Sequence, residues 1–196
     1  MINDIERINI AWVGISQKKE IRNLSKNSFS GSLIFKIEKQ IKNIRSYKTN
    51  LVDFAPADKT GKLCYPTKRE INQNFNILWK NILNKKPQII FLLGGLVASS
   101  FESNLKIKII KWKNYDYFVT YFNESALIAI QHPSYIQVYK KKDTEKYIHS
   151  IIDIIFKERD YLSLIFKKST TFICPGPSVS EKAVRDPNRP KSNDTK

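Results

Sequence analysis

The sequence predicts an α/β fold, a central and mainly parallel sheet with helices packed on both faces. Three observations carry this expectation. Short runs such as Ile8–Val13 and Gln88–Leu93 are almost wholly apolar, as strands buried on both faces are. Between them lie longer stretches whose apolar residues recur at helical spacing, so that strand and helix alternate for most of the chain. Finally, 196 residues with a hydrophobic fraction of 41% supply one substantial core and no reason to divide into two.

Taken in order, Ile8–Val13 is a buried strand ended by Gly14, and Ile15–Ser30 is a polar loop. From Gly31, the residues Leu33, Ile34, Ile37, Ile41 and Ile44 keep the spacing of a helix with lysines on its other face. Tyr47–Phe54 returns to strand character and breaks at Ala55-Pro56, and Asp58–Thr67 is rich in turn residues. Thr67 and Glu70 have the spacing of a capping box, opening a helix to about Lys86 that buries Ile71, Phe75, Leu78, Trp79 and Ile82. Gln88–Leu93 is a fully apolar strand, and Gly94-Gly95 leads into a short helix over Leu96–Phe101. Short strands near Lys106–Lys111 and Tyr117–Phe122 precede the strand Ser125–Gln131. Thr144 opens a last helix through Ile151, Ile152 and Ile155 to about Phe166. Residues 1–170 therefore form one domain, and 171–196, dominated by Pro, Ser, Asn, Asp and Lys, read as a polar, disordered tail.

A net charge of +16, from 34 Lys and Arg against 18 Asp and Glu, favours a polyanionic partner, DNA, RNA or an anionic membrane, without choosing among them. No run approaches the roughly 20 apolar residues that span a bilayer, and Asp4, Glu6 and Arg7 precede the first apolar run, unlike a signal peptide. A soluble, cytoplasmic protein with reduced thiols is expected, because Cys64 and Cys174 form neither a CxxC pair nor a disulfide framework. Gly94-Gly95 is not a GxGxxG, and no GxxxxGK[ST] occurs, so a nucleotide-binding loop has little support.

The most informative stretch is Gln131-His132-Pro133-Ser134, where a strand stops and a basic segment, Tyr139-Lys140-Lys141-Lys142, follows. Strand ends are where α/β proteins keep their chemistry, and a proline after His132 fixes how the imidazole leaves the strand. Together with WVGISQKK, SFSGSLI, TNLVDFAPADKTGKLCYPTKREI and PQIIFLLGGLVA, the segment QHPSYIQVY resembles the uracil-DNA glycosylase superfamily. It most resembles the small branch related to the iron-sulfur, family-4 type, and the likeness runs from about Ile8 to Arg159. The resemblance implies a three-layer α/β/α sandwich around a four-stranded, mainly parallel sheet, acting as a monomer on DNA that contains uracil or another altered base.

It also implies roles. Asn50 reads the pyrimidine edge, since one carboxamide accepts from N3–H and donates to O4. His132 meets uracil O2 and stabilises the charge that develops as the glycosidic bond breaks. Phe29 stacks on the flipped base, and the backbone near Gly14 and Ile15 contacts its edge. Ser134 holds phosphate, Tyr135 or Ile136 supplies the wedge, and Lys140, Lys141 and Lys142 contact neighbouring phosphates, a solvated lysine run being the alternative.

Two departures stand out. The acid that positions water after the first strand is missing, because Gly14 is followed by Ile15, Ser16, Gln17, Lys18, Lys19 and Glu20. Ser16, Gln17 or Glu20 is left to hold a water, and a different substrate base, or a DNA-binding role without catalysis, stays open. The cluster cysteines are missing too. Phe54 and Phe75 stand in the segments that supply two of them, and the N-terminal pair is absent, so no metal cluster and no cofactor are expected, apolar packing taking the cluster's place.

Overall fold

In the computed structural model, residues 7–17 and 24–170 are described, without the side chains of 165–170. The expected tail at 171–196 and the part of the first loop that carries Lys18, Lys19 and Glu20 lie outside them. Among the described residues five strands and five α-helices follow in the order β1 (Ile8–Ser16), α1 (Phe29–Lys39), β2 (Ile44–Val52), α2 (Lys68–Leu83), β3 (Ile89–Leu93), α3 (Gly95–Leu105), β4 (Val119–Phe122), β5 (Ser125–Ile130), α4 (Pro133–Tyr139) and α5 (Thr144–Thr170). A 3₁₀ turn, Lys141–Asp143, joins the last two helices.

The sheet order is β2-β1-β3-β5-β4. The first four strands are parallel, and β4 adds an antiparallel edge to β5, so the expected fold class holds with a fifth strand. Alternation along each strand divides the core into two layers. Ile8, Ile10 and Trp12 face Leu33, Ile34 and Ile37 of α1 and the apolar stripe of α5. Ala11 and Val13 face Ile71, Phe75 and Leu78 of α2 and Val97 and Phe101 of α3. The central strands β1, β3 and β5 are thus buried on both faces, which explains their nearly unbroken hydrophobicity, whereas the edge strands β2 and β4 keep exposed or half-buried residues.

Helix α4 and several element ends differ from the sequence reading, and three differences bear on the fold. β1 does not stop at Gly14, because pairing continues to Ser16 opposite Val52. α1 ends at Lys39 and the chain turns through Asn43 at φ +60°, a left-handed conformation that asparagine tolerates, so Ile41 still packs in the core while Ile44 opens β2. No strand forms at Lys106–Lys111. Lys106 closes α3 at φ +54°, and the place beside β5 is taken by β4 through a two-residue turn, Asn123 and Glu124, both at positive φ. The capping box is present, with Thr67 Oγ1 accepting from Glu70 N–H at 3.2 Å and Glu70 Oε2 accepting from Thr67 N–H at 2.6 Å.

Candidate functional site

The chain leaves β1 toward β2 on one side and returns to β3 on the other. This reversal creates a crevice at the carboxyl ends of β1 and β3, the position where open α/β sheets bind ligands. A cleft of about 1060 Å³ opens there. Its walls come from Gly14–Gln17 after β1, Ser28 and Phe29 at the start of α1, Asn50 in β2, Leu63–Pro66 before α2, Gly94–Leu96 after β3, and His132, Ser134 and Tyr135 after β5. The sequence motifs, far apart in the chain, thus converge on one cavity.

Asn50 is buried and pairs in register with Gly14. A side chain at Gly14 would place its Cβ on Asn50 Oδ1, so glycine is required here for close approach within the strand and not to end it. At the far wall, Pro133 occupies the first position of α4 and His132 is its cap residue, with φ −63° and ψ 126°. The imidazole Nδ1 lies 2.7 Å from Ser134 Oγ. Gly94, at φ +95°, passes directly beneath this histidine, where an added Cβ would stand 3.4 Å from His132 Cβ.

Phe29 follows the α1 cap, Ser28, whose Oγ accepts from Gly31 N–H at 3.0 Å. Phe29 is 60% exposed on the cleft rim, unlike the core phenylalanines. Tyr135 is half exposed, and its ring lies 5.4 Å from that of Tyr139 one turn later. Gln137 Nε2 donates to Ser32 Oγ at 3.0 Å, tying α4 to α1. Ile136 is corrected: at 1% exposure it packs in the core against α5, so its side chain has no access to DNA, and of the two wedge candidates only Tyr135 faces outward. Lys140, Lys141 and Lys142 are exposed around the 3₁₀ turn and do not line the cleft.

Several lining residues were not read from the sequence. Leu63, Cys64 and Tyr65 reach the cleft because Ala57 and Leu63 bridge into a small hairpin, whose turn is held by Asp58 accepting from Thr60 N–H at 2.9 Å and Lys62 N–H at 3.0 Å. These bonds hold the Asp58 carboxyl below its usual range, the Thr60 hydroxyl contributing most. Tyr139 was legible in retrospect, since Pro133 as first helical residue puts it four residues, one helical turn, after Tyr135.

Ser16 and Gln17 are half buried and line the cleft, and no carboxylate does so among the described residues. An iron-sulfur cluster does not fit the donor set, for phenyl rings supply no ligand atom. Apolar packing takes over at only one of the two positions. Phe75 is buried edge-on against Phe101 at 5.1 Å, whereas Phe54 is 38% exposed. Among the described residues no cluster of three or more His, Cys, Asp or Glu forms a metal site, and no helix is long and apolar enough to cross a membrane.

Comparison with known proteins agrees with this architecture. The crystal structure of wild-type Pedobacter heparinus SMUG2 superposes with a TM-score of 0.51 at 13% identity, covering 79% of this chain and 77% of that one, a likeness of fold. No curated protein matches the sequence. The family profile described as Uracil DNA glycosylase superfamily matches residues 6–155, which is more than half of the chain and contains every element that builds the cleft. With Asn50, His132 and Phe29 gathered at the carboxyl end of a doubly wound sheet, the chain belongs to the uracil DNA glycosylase superfamily.

Proposed function

We propose that this protein is a monofunctional uracil-DNA glycosylase, a monomeric, metal-free relative of the family-4 type, that hydrolyses the N-glycosidic bond of uracil in DNA and leaves an abasic site. Membership in the superfamily implies DNA-glycosylase chemistry. One observation carries the assignment: a buried carboxamide, Asn50 in β2, and an imidazole, His132 just after β5, line the same cavity although β2 and β5 lie three positions apart in the sheet. Two such groups suit a flipped pyrimidine whose N3–H and O4 are read by one and whose O2 is polarised by the other.

In this reading Phe29 stacks on the extruded base while Asn50 donates to O4 and accepts from N3–H. With the Ser134 hydroxyl donating to Nδ1, the neutral His132 ring carries its proton on Nε2 and donates from there to O2 as the bond to C1′ breaks. The electron pair of that bond leaves with the base, and the N-terminal end of α3 at Gly94-Gly95 adds a favourable dipole for the resulting anion. A water held near Ser16 and Gln17 then adds to C1′, losing its proton to solvent. Tyr135 fills the gap in the stack, and Lys140–Lys142 contact the flanking phosphates.

The absence of a carboxylate from the described cleft lining favours a second reading, a DNA-binding member of the fold with weak or lost catalysis. One assay separates the two. The protein is incubated with uracil-containing and matched thymine-containing DNA, and abasic sites are cleaved with alkali. Scission confined to uracil positions is the expected result. Binding without alkali-labile sites would support the second reading, and scission at another base in a panel of altered oligonucleotides would reassign the substrate.

A further inference from the structure

Behind the cleft, the chain between α3 and β4 folds back over the residue that precedes His132. A tight turn, closed by Lys113 N–H to Asp116 O at 3.1 Å and Asp116 N–H to Lys113 O at 2.9 Å, carries Asn114 in the left-handed region and presents Tyr115 and Tyr117. Tyr117 Oη donates to Gln131 Oε1 at 2.7 Å, and Gln131 Nε2 donates to the Asn114 carbonyl. From the opposite side Tyr147, fully buried on α5, donates through Oη to the Gln131 backbone carbonyl at 2.9 Å. Tyr115 fastens the same turn to the start of α5, with Oη donating to Asp143 Oδ2 at 2.7 Å and the Lys146 ammonium 5.1 Å from its ring centre. Burial raises the Tyr117 and Tyr147 hydroxyls far above their ordinary range, so both stay protonated donors.

Neither Tyr117 nor Gln131 lines the cleft, yet Gln131 is gripped at its side chain and its backbone. The held carbonyl belongs to the peptide plane that runs through the His132 nitrogen to its Cα, and with His132 at φ −63° the orientation of that plane sets the direction in which Cβ departs. Where that plane tilts, the imidazole swings, and a displacement of about 1 Å at a reacting group costs about 10²-fold in rate.

We propose that Tyr117 and Tyr147, acting through Gln131, are positioning residues for the His132 imidazole. The inference rests on the reading of His132 as the group that meets the leaving base, and its test has a readout that needs no activity. The chain has only 2 histidines, His132 and His149, so isotope-labelled histidine gives two ring systems in a nuclear magnetic resonance spectrum, assigned by His149→Gln. Tyr117→Phe keeps the ring and removes the hydroxyl. It shifts the His132 ring signals, leaves those of His149 in place, and lowers kcat on uracil DNA by about 10-fold while DNA affinity stays within about twofold. Gln131→Met acts in the same direction and serves as the second variant, because Tyr147 is too deeply buried to carry the test alone. Tyr121→Phe is the control: it deletes a hydroxyl that donates to Glu158 Oε2 at 2.6 Å, within the same sheet edge but away from Gln131, and leaves His132 unmoved. His132 signals at their wild-type positions in both Tyr117→Phe and Gln131→Met would overturn the proposal, as would an equal shift in Tyr121→Phe. A wild-type protein that excises no uracil would defeat the proposed function, while the ring signals would still decide the positioning.

Discussion

Replacing Gly14 by alanine adds a methyl group where the strand has no room for one. Gly14 faces Asn50 across the parallel pair β1–β2, and the new Cβ would overlap Asn50 Oδ1 while Asn50 Cγ and Leu24 Cδ2 stand 3.5 Å away. Gly14 and Asn50 are both buried, so the methyl cannot move toward solvent. Relief comes from the Asn50 side chain leaving its rotamer or from the two strands parting. Overpacking of this kind costs about 1–3 kcal/mol of stability. For excision, a displaced carboxamide forfeits two hydrogen bonds to the uracil edge, each of net worth about 1 kcal/mol, a combined loss of roughly 30-fold in rate. The assay is single-turnover excision from a uracil oligonucleotide, read by alkaline scission, beside a denaturant titration. Because the effect runs through Asn50, adding Gly14→Ala to an Asn50→Ala protein costs little further rate. Wild-type rate and stability in Gly14→Ala, or losses that simply add in the double variant, would refute the reasoning.

In the proposed reading, His132→Ala removes the donor to the developing base anion and is expected to cost about 10²-fold or more in excision rate with little change in DNA affinity, measured by single-turnover kinetics and a binding titration. An unimpaired rate would remove His132 from the pocket. Replacing Lys140, Lys141 and Lys142 together by alanine is expected to weaken binding alike for all sequences and to flatten the plot of log affinity against log salt by about 3 units. An unchanged slope leaves them a solvated turn. Stability is expected to fall between pH 10 and about pH 12. Burial, with the bond to Asp143, raises the Tyr115 hydroxyl from 10.0 to about 12, so the unfolded chain loses this proton first and unfolding gains with rising pH. Tyr117 and Tyr147, raised by burial, add to the same decline, so Tyr115→Phe should lessen it in a denaturant midpoint series without abolishing it, and an identical decline would show that Tyr115 takes no part.

The alternation of apolar runs and amphipathic stretches was sufficient for the fold class, because a strand buried on both faces must be hydrophobic throughout and a surface helix on one stripe. Ile89–Leu93 and the capping box at Thr67 and Glu70 were legible for that reason. Local composition was a poorer guide where a residue's role depends on its neighbour across the sheet. Gly14 reads as a strand end in one dimension and is a close-contact residue inside a strand in three, since the side chain it accommodates comes from β2.

Order and residue type singled out the motifs that meet at the cleft, and tertiary packing decided which of their side chains are accessible. The sequence cannot distinguish Tyr135 from Ile136 as the outward-facing residue, for the adjacent positions differ by a rotation of about 100° on α4, whose phase is set by Pro133 and by the burial of Ile136 against α5. The same holds for Ser134, whose hydroxyl lies 2.7 Å from His132 Nδ1 in the first turn of α4. Only the folded sheet brings Asn50 and His132, 82 positions apart in the chain, to one cavity. Side-chain direction is a property of the packed neighbours, and those neighbours come from the other end of the sequence.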